Sequence, residues 1–206
     1  MKRLLISITS MLQLIGNLVI LNGLWLLFTT LGLIAFGLFP STAALFAVIR
    51  KTLRSRSESG LLKDYWFFYK KDFIRSNIFG CIFIFFAYFF YIDWKLVQSL
   101  NSPYSLIGYV LLLGLLLVSS MVIIYLFSLL AHYEIPLARG IKTSVLLGIL
   151  YPFSTLMMLF AGGVLYYVFS TLPILIPFFG VSVYAYVLSK SAISVFNRNE
   201  NKLEAA

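Results

Sequence analysis

Uncharged, mainly apolar stretches dominate the pattern of this chain. Residues 12–49, 76–92, 96–131 and 143–189 contain no Lys, Arg, Asp, Glu or His. A helix needs about 20 apolar residues to cross the hydrocarbon core of a bilayer. The pattern therefore predicts an all-α fold, a polytopic bundle of transmembrane helices in which residues 1–206 form one integral membrane domain.

Proline and charged residues divide these stretches into about five predicted spans, at residues 12–39, 77–92, 105–131, 143–169 and 172–190. Pro40 lacks a backbone donor, so we expect a kink or break there, with hydroxyls such as that of Thr42 bonding the freed backbone groups. Pro152 lies inside the fourth predicted span, and a tight hairpin joins the last two spans. An alternative divides residues 12–49 into two crossings that turn near residues 29–32, which gives six spans.

Charge placement orients the predicted bundle. The chain has a net charge of +9, and eight of its sixteen Lys and Arg residues lie in the segment 50–76, between two apolar stretches. We expect these cations to face anionic lipid headgroups, and not nucleic acid. The positive-inside rule places this segment, the loop 132–142 and the C-terminus in the cytoplasm. A single first span would leave Lys2 and Arg3 outside, whereas two crossings would bring them inside.

The segment 61–76 combines aromatic and basic residues at helical spacing. Tyr65 and Tyr69 share one face, and Lys residues populate the other side. Such an amphipathic helix is typical of a segment lying in the headgroup region, where it anchors the bundle. It is also a candidate docking surface for a partner or for lipid, and its candidate contact residues are Lys63, Trp66, Lys70, Lys71, Phe73 and Arg75.

Residues capable of catalysis are sparse. His132 and Glu134 stand close together, but a hydrolytic metal site normally needs three protein ligands and His132 is the only histidine. Cys81, the only cysteine, has no acid or histidine near it in sequence. Nucleotide-binding, hydrolase and metalloprotease motifs are absent. We therefore expect no catalytic residues, no metal, no cofactor and no enzymatic activity.

Neutral polar residues within the predicted spans favour a structural role. Asn17 and Asn22 are typical of the interhelical hydrogen bonds that hold membrane helices together. With Pro40 and Thr42, they form the set of candidate structural polar and kink positions. The spans carry no Lys, Arg, Asp, Glu or His apart from Lys190 at the final boundary, which argues against a proton-driven transporter.

The chain resembles the YesL family, small bacterial membrane proteins that form a domain of unknown function. The resemblance rests on 16–22 (GNLVILN), on 39–45 (FPSTAAL) before Arg50, and on 64–73 (DYWFFYKKDF), where the family more often has Asn at the position of Asp72. The family defines no catalytic residues. Its members are often associated with genes for carbohydrate-uptake ABC transporters, which implies an accessory role in the bacterial cell membrane.

Two functions are therefore expected from different classes. The first is a non-catalytic accessory protein that binds a carbohydrate ABC transporter, through its permease or its ATPase, or takes part in its regulation. The alternative is a small transporter or channel for a neutral solute, in which Asn, Ser and Tyr side chains line the path and broken helices form the site.

Overall fold

Every element of the described structure is helical. The computed structural model describes residues 2–55, 60–99, 105–133 and 135–204. A short 3₁₀ helix, Pro173–Leu175, precedes the eighth α-helix. The α-helices are α1 (Lys2–Leu31), α2 (Leu38–Ser55), α3 (Leu61–Lys71), α4 (Phe73–Ser99), α5 (Ser105–His132), α6 (Leu137–Leu150), α7 (Pro152–Thr171), α8 (Ile176–Phe179) and α9 (Ser182–Glu204).

Length and hydropathy mark four stretches of the described chain as able to cross a membrane, namely Ile8–Leu31, Phe73–Ser99, Ser105–His132 and Pro152–Thr171. A fifth arises if Pro173–Phe179 and Ser182–Arg198, which are bent by 58°, form one broken span. Their exposed surfaces are rich in large apolar side chains, as expected of helices whose solvent is lipid. The predicted all-α polytopic bundle of about five spans is confirmed.

Helix α2 lies at the centre of the bundle. It packs against α1, α3, α4, α5 and α9, and every residue from Ala43 to Ile49 is buried. Three alanines in this run keep α2 thin, so that neighbouring helices can approach closely from several sides. The resulting core also takes side chains from α5 and α9, among them Tyr125, Leu188 and Phe196.

The first helical break lies upstream of Pro40, so the predicted kink at Pro40 and the predicted first span of 12–39 are wrong. Helix α1 ends at Leu31, residues 32–37 form a turn, and Pro40 stands in the first turn of α2. Proline is tolerated there because the first N–H groups of a helix have no intrahelical acceptor. The alternative turn near residues 29–32 describes this region better.

The turn between α1 and α2 depends on two glycines. A Cβ on Gly32 would lie 2.3 Å from the Cα of Gly37, and a Cβ on Gly37 would lie 2.4 Å from the Thr29 carbonyl oxygen. Between the glycines, Leu33 and Ile34 adopt positive φ angles of 56° and 62°. Such angles are uncommon for residues with large or branched side chains, so this turn is conformationally strained. The close backbone contact at the glycines allows α1 and α2 to pack as a hairpin.

The predicted fourth span, 143–169, is also wrong in its first half. Helix α6 ends at Leu150, Tyr151 leaves the helical region with φ −125° and ψ 60°, and Pro152 starts α7. Proline at the first helical position fits a new start, because its fixed φ suits the helix and no donor is lost. Helix α6 packs against α5 as a separate 14-residue helix.

Other boundaries shift without changing the architecture. The predicted second span, 77–92, is longer at both ends in the structure, where α4 covers Phe73–Ser99. The predicted basic segment 50–76 comprises the end of α2, all of α3 and the start of α4. Leu172 alone separates α7 from the 3₁₀ helix, as expected for a tight hairpin between the last two spans.

Asn22 joins α1 to the break between α8 and α9. Its Nδ2 donates to the carbonyl oxygens of Ile176 and Pro177 at 3.2 and 2.7 Å, and its Oδ1 accepts from the backbone N–H groups of Val181 and Ser182 at 3.0 and 3.2 Å. In a continuous helix the N–H of residue 181 would bond the carbonyl of residue 177. The side chain of Asn22 bridges these two groups instead, and such an insertion accounts for the sharp bend.

Candidate functional site

Helix α3 attaches to the bundle through two tyrosines on one face. Tyr65 and Tyr69 are both buried. The Tyr65 hydroxyl lies 2.7 Å from the Ser41 carbonyl oxygen, to which it donates, and 2.8 Å from the Ser41 hydroxyl. The Tyr69 hydroxyl donates to the Phe28 carbonyl oxygen at 3.3 Å. The aromatic face of α3 therefore packs on α1 and α2, although the amphipathic pattern suggested that it faces headgroups.

Burial fixes the protonation state at this contact. Removal from solvent raises the pKa of the Tyr65 hydroxyl well above its usual value, and its hydrogen bond with Ser41 opposes that effect only in part. Burial also raises the pKa of Tyr69. Both hydroxyls thus remain protonated donors, so the contact between α3 and the hairpin of α1 and α2 is insensitive to pH in the neutral range.

The outer face of α3 forms an exposed ridge, which we call the α3 ridge and define as Leu62, Lys63, Trp66, Phe67 and Lys70. All five residues are exposed. The Lys70 ammonium group lies 4.7 Å from the centroid of the Trp66 ring, a cation–π contact. Trp66 also stacks on Phe28 of α1, with ring centroids 5.6 Å apart. The ridge thus presents large apolar rings beside two cations, and its tryptophan is held in place.

A second surface is concave and strongly basic, and we call it the basic cleft. It encloses about 860 Å³ between the second half of α2, the junction of α3 with α4, and the end of α5. Five basic side chains and one carboxylate stand among its described lining residues. The full lining is Ala47, Arg50, Lys51, Arg54, Phe68, Lys71, Asp72, Arg75, Leu130, Ala131, His132, Tyr133, Ile135 and Pro136.

The charges of the basic cleft have a specific arrangement. Lys51 pairs with Asp64 at 2.6 Å, so one of its cations has a carboxylate partner. Arg75 donates to the carbonyl oxygen of Ile135, a neutral acceptor that leaves the guanidinium charge uncompensated by that bond. Partial burial, and secondly repulsion from Arg54, lower the pKa of Arg50. Two arginines of one helix are thus held close enough for Arg54 to disfavour the charge on Arg50.

The predicted contact residues divide between these two surfaces. Lys63, Trp66 and Lys70 lie on the α3 ridge, whereas Lys71 and Arg75 line the basic cleft. Phe73 belongs to neither surface, because its half-buried ring packs against the core and lies 5.5 Å from the ring of Tyr69. The sequence placed these residues on one helix, but the structure separates them into an outer and an inner set.

The predicted structural residues are also separated. Asn22 bridges the broken span, and Pro40 is fully buried in the first turn of α2. The Thr42 hydroxyl accepts from the Trp25 indole N–H at 3.1 Å and donates to the Leu38 carbonyl at 2.7 Å. Asn17 lies half-buried at a groove on the other side of α1.

That groove, the α1 groove, encloses about 730 Å³ between α1, the end of α2 and α9. Leu18, Leu21 and Ile49 form a buried apolar floor. The hydrogen-bonding residues of its lining are Ser10, Gln13, Asn17, Thr52, Tyr186 and Lys190. Lys190 is the charged residue of the described lining, so this surface is mainly neutral and polar above an apolar base.

Sequence reasoning did not include four basic or imidazole side chains of the basic cleft among the contact residues, namely Arg50, Lys51, Arg54 and His132. Arg50 and Arg54 are four residues apart, and that spacing puts both on one helix face. The sequence therefore predicts that they are neighbours if α2 continues past residue 50, as it does in the structure. His132 comes from the end of α5, and its ring lies against those of Tyr133 and Phe196. Nothing in the sequence indicates that α5 ends beside these arginines.

No group of three or more potential metal ligands occurs within the described part of the chain. Glu134, considered with His132 as an acid–base pair, lies outside the described residues. Cys81 is a free thiol exposed on α4.

The fold defines a multi-pass helical membrane protein, and comparison with known sequences gives its family. A family model described as "Protein of unknown function, DUF624" matches residues 18–94. The chain belongs to this family, the YesL-like proteins, as the sequence resemblance indicated. The matched region contains the second half of α1, all of α2 and α3, and most of α4.

Three relatives from Bacillus subtilis (strain 168) match most of the chain. The uncharacterized protein YteU is 37% identical over 80% of this chain and 74% of its own length. The uncharacterized protein YesV is 36% identical, over 87% of this chain and 86% of its length. The uncharacterized protein YesL is 28% identical, over 89% and 87%. No solved structure matches the chain.

Proposed function

We propose that this protein is a non-catalytic accessory membrane protein that docks another membrane protein through the α3 ridge. The observation that carries the proposal is the exposure of Trp66 and Phe67 beside Lys63 and Lys70 on a helix whose opposite face is buried. Aromatic residues next to cations are typical anchors of protein interfaces. The buried tyrosines support this role, since they hold the ridge rigidly and so lower the ordering cost of binding.

The proposed partner is the permease or the ATPase of a carbohydrate ABC transporter. This choice rests on the gene associations that the family resemblance implies, and the ridge adds a chemical requirement. A surface that fits the ridge needs an apolar pocket for the Trp66 ring and acidic groups opposite Lys63 and Lys70. Whether the accessory protein assists import or regulates it depends on which subunit carries that surface.

We further propose that the protein sits in the bacterial cell membrane with both ends in the cytoplasm, as in the six-span alternative, so that α2 is a further crossing beside the four or five that length and hydropathy mark. The basic segment and the C-terminal tail favour that side for the C-terminus. The hairpin of α1 and α2 would return Lys2 and Arg3 to the same side. A Leu5→Cys, Cys81→Ser variant would test the N-terminal side, because an impermeant thiol reagent added to intact cells should leave it unlabelled.

The docking proposal is tested by reversing the two charges of the ridge. Affinity purification of Lys63→Glu/Lys70→Glu in mild detergent from native membranes should recover at least about tenfold less permease or ATPase than wild type, because like charges placed opposite each other oppose binding. The matched control is Arg139→Glu/Lys142→Glu, which makes the same charge change on exposed positions of α6. It should recover the wild-type amount of partner.

Two results would contradict the docking proposal. One is recovery of the wild-type chain without either transporter subunit. The other is equal recovery of the partner by the ridge variant and by the α6 control, since the ridge would then make no special contribution. Size-exclusion chromatography in the same detergent establishes that each variant is folded and monodisperse.

A small transporter for a neutral solute is the second candidate, and the α1 groove is the observation that favours it. The groove combines amide, hydroxyl and phenol groups and lies beside the broken span formed by α8 and α9. Discontinuous helices next to neutral polar side chains are common at transporter binding sites. Proteoliposomes containing this chain alone should then accumulate a labelled neutral sugar, and Asn17→Ala should reduce the uptake.

A further inference from the structure

We propose that the basic cleft is a binding site for a phosphate group, carried either by an anionic phospholipid of the surrounding leaflet or by a soluble phosphorylated molecule. The cleft is separate from the α3 ridge, and the proposal does not depend on a protein partner. It uses Arg50 and Arg54 of α2 together with Lys71 of α3 and Arg75 of α4.

The size and walls of the basic cleft suit such a ligand. A volume of about 860 Å³ falls in the range of small-molecule sites, roughly 300–1,000 Å³. Phe68, Leu130, Ala131 and Pro136 add apolar surface to the same lining. A ligand with a phosphate and a less polar remainder, such as a glycerophospholipid headgroup with the start of its acyl chains, matches both surfaces.

Without a bound anion, the repulsion between Arg50 and Arg54 is unfavourable in free energy. Arg50 and Arg54 lie on one face of α2, and Arg50 is partly withdrawn from water, so their repulsion is incompletely screened. Within the described lining, Asp72 is the one acidic residue, while the carboxylate of Asp64 already bonds Lys51. A phosphate group with one or two negative charges, bound between α2 and α4, would offset the repulsion between Arg50 and Arg54.

Arginine chemistry selects phosphate among anions. A guanidinium group presents a planar fork of N–H donors that matches two phosphate oxygens at once, and it is more weakly hydrated than an ammonium group. Arg50 and Arg54 come from α2 and Arg75 from α4, so that forks could approach one phosphate from two sides. The bond from Arg75 to the Ile135 carbonyl positions that side chain and leaves donors of its guanidinium free to bind a ligand.

The test measures the thermal unfolding midpoint of the purified chain in neutral detergent at constant ionic strength. Phosphatidylglycerol and inorganic phosphate are titrated separately, with phosphatidylcholine as the neutral lipid. A rise in midpoint with phosphatidylglycerol alone identifies the lipid headgroup as the source of the phosphate. A rise with inorganic phosphate in the absence of added lipid identifies a soluble ligand.

Two double variants remove the same charge from different surfaces. Arg50→Gln/Arg54→Gln should weaken the apparent affinity for the stabilising probe at least about tenfold, because hydrogen bonds to charged groups are among the strongest that single residues supply. Lys63→Gln/Lys70→Gln on the α3 ridge should leave the affinity within about twofold of wild type, since both lysines are exposed outside the cleft lining and their charges are screened by solvent.

A third variant keeps the proposal testable if the double change in α2 impairs folding. Arg54→Gln alone alters an exposed side chain and should still weaken binding several-fold. The proposal is overturned if neither probe raises the wild-type midpoint. It is equally overturned if the cleft and ridge variants lose the same affinity, because the attraction would then be a general effect of net charge.

Discussion

Helices α2 and α4 are both rich in apolar residues, yet their surroundings are opposite. From Ala43 to Ile49, no residue of α2 is more than 8% exposed. In α4, Phe85, Phe86 and Tyr88 are each about 60% exposed. Helix α2 is therefore surrounded by protein, whereas the middle of α4 turns large rings outward to the region that lipid would fill.

Side-chain size, more than hydropathy, decides which of these two helices becomes central. Ala43, Ala44 and Ala47 give α2 a narrow profile, so other helices can pack on all its sides. The rings of α4 occupy too much space for such packing on every face, and the lipid solvates them at no cost. Three pairs of substitutions, each with a buried and an exposed member, test the difference between buried and exposed positions.

The largest effect is expected from enlarging the centre of α2. Ala44 is fully buried, so Ala44→Phe should destabilise the protein by about 3 kcal/mol or more, because the new ring forces several helices apart. Ala87 on the exposed face of α4 is the matched control, and Ala87→Phe should change stability by less than about 0.5 kcal/mol. Unfolding of both variants by SDS titration in mixed micelles measures the difference, and equal losses would refute the contrast.

The second pair lies on α1, where Asn22 is buried and Gln13 is exposed. Asn22→Ala removes four hydrogen bonds from the break between α8 and α9. Because interhelical hydrogen bonds in membrane proteins contribute about 0.6 kcal/mol each on average, we expect a loss of about 2–3 kcal/mol.

Gln13→Ala removes the same type of group from an exposed position and should cost less than about 0.5 kcal/mol. The same SDS titration compares the two variants. If Asn22→Ala were as mild as Gln13→Ala, the bend of the fifth span would have to be held by packing or by backbone preference, and not by the amide bridge.

The sequence predicted the span at α5 well, as 105–131 against the observed Ser105–His132, because no helical break falls inside that apolar stretch. It failed where a break falls inside such a stretch. The turn at residues 32–37 needs Gly32 and Gly37 to touch each other, and that contact is tertiary information. Pro40 and Pro152 drew attention as kinks, but each occupies the first turn of a helix, where its missing donor costs nothing.

The candidate site was predictable only in part, for a related reason. The helical spacing of segment 61–76 correctly separated the tyrosines from the lysines of α3. It could not show that Lys70 and Lys71, adjacent in sequence, point to the ridge and to the cleft respectively. The bonds of Asn22 also join residues more than 150 positions apart, and no local pattern encodes such partners.

The smallest effect concerns single hydroxyl groups, and it tests whether α3 belongs to the protein core or to the membrane surface. Tyr65→Phe keeps the buried ring but removes its bonds to Ser41, so we expect a loss of about 1 kcal/mol. Tyr88→Phe changes an equally large side chain that is 61% exposed on α4, and its stability should match wild type within about 0.5 kcal/mol. The same SDS titration compares the pair. Equal stabilities would mean that α3 is held by the apolar contacts of its rings alone, as expected of a helix resting on the bundle from outside. A selective loss in Tyr65→Phe would mean that polar bonding to α2 fixes its position, and with it the rigidity on which docking through the α3 ridge relies.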